Sequence, residues 1–70
     1  MNGQLFSDDD TVAIREHADW KYNNTRKGTR GKVFDVFESQ ASGDFVYEVE
    51  FDGQMLLIHQ ADLELIKKAT

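Results

Sequence analysis

Seventy residues with no cysteine, two histidines and a formal charge of −5 leave room for one domain and exclude a disulfide framework or a thiolate zinc site. So short a chain buries only roughly 60% of its unfolded surface, so the 40% hydrophobic content and the aromatics (five Phe, two Tyr, one Trp) must be used economically. No run approaches the ~20 apolar residues of a membrane helix, and the opening MNGQLFSDDD lacks the basic start and apolar stretch of a secretory signal. The expectation is a soluble cytoplasmic protein with no membrane contact, no metal and no cofactor.

Charge is segregated along the chain. Residues 1–20 hold five acids and one base, and residues 21–32 hold five bases (Lys21, Arg26, Lys27, Arg30, Lys32) and no acid. Residues 33–66 then hold eight acids and no base, before Lys67 and Lys68. One basic segment thus sits in an otherwise acidic molecule.

In chain order, residues 1–9 read as a mobile acidic tail, with the folded domain over residues 10–70. Asp10–Glu16 (DTVAIRE) is a short first strand with Val12 and Ile14 in phase. A long polar loop, His17–Arg30, follows. Gly31–Glu38 (GKVFDVFE) is a second strand; its apolar residues Val33, Phe34, Val36 and Phe37 do not alternate, as expected of a bent strand shared by two halves of a barrel. After a turn-rich stretch, Phe45, Tyr47, Val49 and Phe51 alternate with Val46, Glu48, Glu50 and Asp52, the period-2 signature of a half-buried strand. The acids Glu48, Glu50 and Asp52 form its solvated face or a surface for a basic partner. Asp52-Gly53 is a preferred type I′ hairpin turn, because both central residues need φ > 0. The returning strand Gln54–His59 (QMLLIH) has a continuous apolar run. That run implies burial on both sides or an interface, and a homo-oligomer through Met55 and Leu57 follows from the second option. Gln60–Asp62 reads as one helical turn and Leu63–Ile66 as a last short strand, although ADLELIKKA has a competing helical reading. Glycines at strand-length intervals and β-branched and aromatic residues over 31–58 argue against helix elsewhere.

The runs GTRGKVFDVFE and FVYEVEFDG and the closing ADLELI resemble SH3-like barrels of the bacterial KOW-related and nitrile hydratase β-subunit kind, over residues 10–66. Gly31-Lys32-Val33 and Asp62-Leu63 occupy the places of that group's G-K-V and acidic-leucine motifs. The resemblance implies an all-β, small five-stranded SH3-like barrel with one short helical turn before the last strand, and binding through the first long loop. A weaker resemblance, to type II dihydrofolate reductases, implies a tetramer around a shared pore. Those enzymes carry a Gln-Ile-Tyr run where this chain has Leu57-Ile58-His59, so at most a degenerate reductase-like barrel is implied.

The 17–30 loop draws attention because loops carry function more often than strands. Trp20 and Tyr22 flank Lys21 and would share a face in an extended segment; Arg26, Lys27 and Arg30 follow. Three readings stay open. The aromatics and bases dock an acidic protein surface, where Trp, Tyr and Arg are common anchors; they stack on bases and neutralise phosphates; or Trp20 caps the barrel end while the charges solvate the loop. The acidic excess disfavours nucleic acid, whose binders gain affinity from counterion release. His17 and His59 lie far apart with no ligand spacing, and no serine has a nucleophile-elbow context. The sequence therefore reads as a non-enzymatic protein-interaction or accessory module that binds a partner through the basic aromatic 17–32 loop, using Trp20, Tyr22, Arg26, Lys27 and Arg30.

Overall fold

The computed structural model describes residues 3–22 and 29–70, Asp19 by its backbone alone. Five antiparallel strands make one sheet: β1 (Thr11–Ile14), β2 (Arg30–Glu38), β3 (Phe45–Phe51), β4 (Gln54–His59) and β5 (Leu63–Lys67). The spatial order is β4-β3-β2-β1-β5. The protein is thus all-β, as the alternation over 45–52 requires, with Tyr47, Val49 and Phe51 of β3 buried and Glu50 in solvent.

Two short 3-10 segments complete the chain: Gln60–Asp62 before β5, where a helical turn is expected, and Glu16–Lys21 directly after β1. The second gives regular structure to the first part of what reads as a long polar loop over 17–30. Ala18 is fully buried, and packing this small residue holds the chain against the core where its polar neighbours alone give no such signal. The competing helix over ADLELIKKA is not formed, because β1 supplies ladder partners to β5 from Leu63 to Lys67.

β2 carries the bend its irregular pattern predicts. Its first residues pair with β1 and the remainder with β3, and the β3 register shifts between Val33 and Asp35. Such a bulge re-aims side chains: Val33 is buried, whereas Phe34 is 61% exposed. One core cluster takes residues from every strand, including Val12, Ile14, Val33, Val49, Ile58 and Leu63. The sheet therefore curls over itself, although its ladder has two ends, β4 and β5. Gly31 lets the curl tighten: a Cβ there would lie 2.6 Å from the Phe51 ring and 2.7 Å from a Val49 methyl. The β3–β4 hairpin turns on Asp52 (φ 50°) and Gly53 (φ 82°), the positive pair a type I′ turn needs.

The domain boundary moves towards the N-terminus. Residues 3–9, expected as part of a mobile tail, lie against the sheet, and Phe6 is a core residue at 4% exposure. Its ring meets Tyr47 edge-on at 5.2 Å and 67°. The Tyr47 hydroxyl accepts the Leu5 and Phe6 amides and donates to Gln60 Oε1. Gln60 Oε1 also accepts the Leu5 amide at 3.0 Å, and its amide group donates to the Gly3 carbonyl. Further on, the Asp9 amide donates to Val33 and the Val33 amide to Asp10. Three clustered aspartates made this segment look solvated, but Asp10 is itself buried, accepting the Ser7 and Ala69 amides with Lys68 Nζ at 3.6 Å. Burial alone pushes the Asp10 carboxyl up; the two amides and the lysine outweigh it and hold the group below its ordinary value.

Candidate functional site

The site is built where the 3-10 segment after β1 meets the turn before β5. Two backbone-directed bonds join them: the Arg15 amide donates to the Asp62 carbonyl at 2.8 Å, and Arg15 Nε to the Leu63 carbonyl at 3.0 Å. Between them lies the Asp62 carboxylate, with a side chain only 6% exposed. A buried carboxylate needs donors or cations around it. Asp62 Oδ2 accepts the Tyr22 hydroxyl at 2.8 Å and has Lys21 Nζ at 3.4 Å. His17 Nε2 stands 3.9 Å from Oδ1, an ion pair whenever the imidazole is protonated. Asp62 thereby gathers three residues of the 16–22 stretch onto one anion.

Tyr22 is consequently an anchor rather than a free contact. Its half-buried phenol is pushed up to about 12 by burial and by the adjacent Asp62 carboxylate, against the lowering effect of the His59 backbone amide at its oxygen. Trp20 does the opposite. Its ring is 76% exposed, with Lys21 Nζ 6.0 Å from the ring centroid, the outer limit of a cation–π contact. The 3-10 geometry explains the split: Trp20 and Tyr22 do not share a face, as an extended chain would have made them do. Nor does Trp20 cap the core, since most of its surface is in water.

Arg30 opens β2 opposite Ala13 and is exposed, at the end of the sheet from which the 3-10 segment departs. Arg26 and Lys27 lie outside the described residues. Of the five residues singled out in the sequence, the structure thus brings Tyr22 to Asp62, leaves Trp20 and Arg30 on the surface, and describes no position for the other two. Asp62 itself was missed as a site residue. Its sequence signals, an acid at the end of an otherwise neutral QAD turn and the Asp62-Leu63 pair that closes the barrel in the resemblance, do not reveal that residues forty positions earlier converge on it.

Beside this junction a cleft of about 310 Å3 is lined by apolar Leu5, Phe45 and Leu63 and by Arg15, His59 and Gln60. Its polar groups are mixed, and no nucleophile–base pair sits in it. Among the described residues no cluster of three or more His, Asp or Glu could hold a metal ion, and no helix is long and apolar enough to cross a membrane. No protein-family model, curated protein or solved structure matches the chain.

Proposed function

We propose that this chain is a non-catalytic interaction module that docks an acidic protein segment on the Trp20 surface. The observation that carries the reading is a large aromatic held in solvent by a rigid support. Trp20 is 76% exposed although the chain on either side of it is tied down, through buried Ala18 and through Lys21 and Tyr22 on Asp62. Exposed tryptophan on an ordered scaffold is characteristic of interface anchors, because little side-chain entropy is lost when it is covered. Lys21 beside the ring and Arg30 at the adjoining strand end supply cations. Such a surface favours a partner with an apolar residue flanked by carboxylates. The SH3-like resemblance supports the same end of the molecule, and the five-stranded order β4-β3-β2-β1-β5 is compatible with it.

Trp20 is the only tryptophan, so its emission reports directly. Titration with a short peptide of alternating Glu and Leu should shift the emission to shorter wavelength, with binding weakened by salt. By calorimetry, Trp20→Ala should lose that binding while keeping its far-UV circular dichroism. A single-stranded oligonucleotide at low salt is the competing probe, since the phosphate term is strongest there. Binding of the oligonucleotide without the peptide, or unfolding of Trp20→Ala, would overturn the reading.

A further inference from the structure

The two ends of the sheet are not alike. Edge strands invite pairing with another chain, and proteins normally blunt them with charges, proline or bulges. β5 is blunted: it carries Glu64 and Lys67, and its register against β1 shifts between Thr11 and Val12. β4 is not. Gln54–His59 contains no proline and no Asp, Glu, Lys or Arg, and its six pairs with β3 run without a shift.

Hairpin parity shows which backbone groups β4 offers. A two-residue type I′ turn makes Phe51–Gln54 a hydrogen-bonded pair, and alternation then makes Val49–Leu56 and Tyr47–Ile58 hydrogen-bonded as well. The N–H and C=O groups of Met55, Leu57 and His59 therefore point away from β3. The His59 amide is taken by the Tyr22 hydroxyl oxygen. Among the described residues no bond takes the outward groups of Met55 and Leu57, which offer a donor and an acceptor each. The side chains follow the same alternation: Ile58 is buried, whereas Met55 is 41% and Leu57 61% exposed.

We propose that this edge pairs with β4 of a second copy of the chain, antiparallel about a two-fold axis through Leu56. That register sets Met55 against Leu57 of the second copy and Leu57 against its Met55. Both are hydrogen-bonded pairs, so all the offered donors and acceptors of both strands are used. The interface is isologous, as a two-fold requires. On the solvent face the two methionines and two leucines form one apolar cluster, and on the core face Leu56 meets its own copy. Electrostatics permits the pairing even though each chain carries −5. The nearest acids on that face, Glu48 and Glu50, lie on β3 opposite Leu57 and Met55. Across the junction they are three strand spacings from their counterparts, roughly 14 Å, beyond the Debye length of about 8 Å in physiological salt. The proposal does not rest on the Trp20 reading: its observations are the outward backbone groups and exposed side chains of Met55 and Leu57, while Tyr22 holds only the His59 end of the strand.

Sedimentation equilibrium of the full chain from micromolar to millimolar protein tests it. A monomer–dimer equilibrium that tightens with added salt is expected. Leu57→Lys should weaken it by about tenfold or more by setting two cations at the junction, with unchanged far-UV circular dichroism. A synthetic chain N-methylated at Leu57 removes the outward donor while leaving the β3 ladder intact, and should weaken association similarly. Phe34→Lys, on the same sheet face but two strands away, should leave it within about twofold. A chain that stays monomeric throughout, or that dimerises equally with both Leu57 changes, or that responds to Phe34→Lys instead, would refute edge pairing.

Discussion

Replacing Phe6 by Ala tests whether the N-terminal segment belongs to the domain. The ring is 4% exposed and stacks edge-on with Tyr47, so nearly all of its transfer free energy is realised on folding. Phe→Ala at a buried site costs about 3–5 kcal/mol, and an aromatic pair contributes roughly 0.5–1.5 kcal/mol beyond area. Residues 3–9 can peel away and let water reach Tyr47, which relieves part of the cavity term, so the lower end, about 3 kcal/mol, is expected. At roughly 0.05–0.15 kcal/mol per residue, a domain of this length has a total stability on the order of 4–10 kcal/mol. The change therefore removes a third or more of the whole. Urea unfolding followed by far-UV circular dichroism measures it, with Leu5→Ala as the neighbouring control at 61% exposure and an expected effect within about 0.5 kcal/mol. A Phe6→Ala loss below about 1 kcal/mol, matching the Leu5 control, would refute the inclusion of this segment in the core.

Gly31→Ala should destabilise by about 1–3 kcal/mol, because the new methyl meets Phe51 and Val49, both buried with little room to retreat; equilibrium unfolding would show it, and an unchanged midpoint would count against the close approach of β2 to β3. Tyr22 should titrate near pH 12, readable as phenolate absorbance that Tyr22→Phe removes. Its phenol holds its proton more tightly folded than unfolded, so above about pH 10 the unfolded state binds fewer protons and stability falls as pH rises towards 12. That decline should be shallower in Tyr22→Phe, and equal slopes would contradict the Asp62 hydrogen bond.

Much of this fold is written locally. The alternation over 45–52 fixes which face of β3 is buried, Asp52-Gly53 fixes the hairpin and with it the β4 register, and the broken pattern of Val33, Phe34, Val36 and Phe37 announces a bent β2. These features depend on neighbours two to four residues apart, which is why a single sequence shows them. The length and unguarded composition of β4 are equally legible, and they mark Met55 and Leu57 before any coordinates are known.

What the tertiary structure alone decides are the contacts between distant parts of the chain. Phe6 meets Tyr47 forty-one residues away, and Tyr22 meets Asp62 forty residues away. Neither pairing has a periodicity to betray it: one lies in an acidic stretch that resembles a solvated tail, the other joins a polar loop to a three-residue turn. Trp20 and Tyr22 illustrate the consequence. Residue type nominated both as contacts, yet a 3-10 twist and one buried carboxylate assign Tyr22 to the support and Trp20 to the surface. Sequence alone determined the strands because side-chain alternation is a property of the backbone itself. The curl of the sheet and the division of labour around Asp62 came only with the fold, because burial of a charge and packing of a core are satisfied by whichever partners the completed chain brings together.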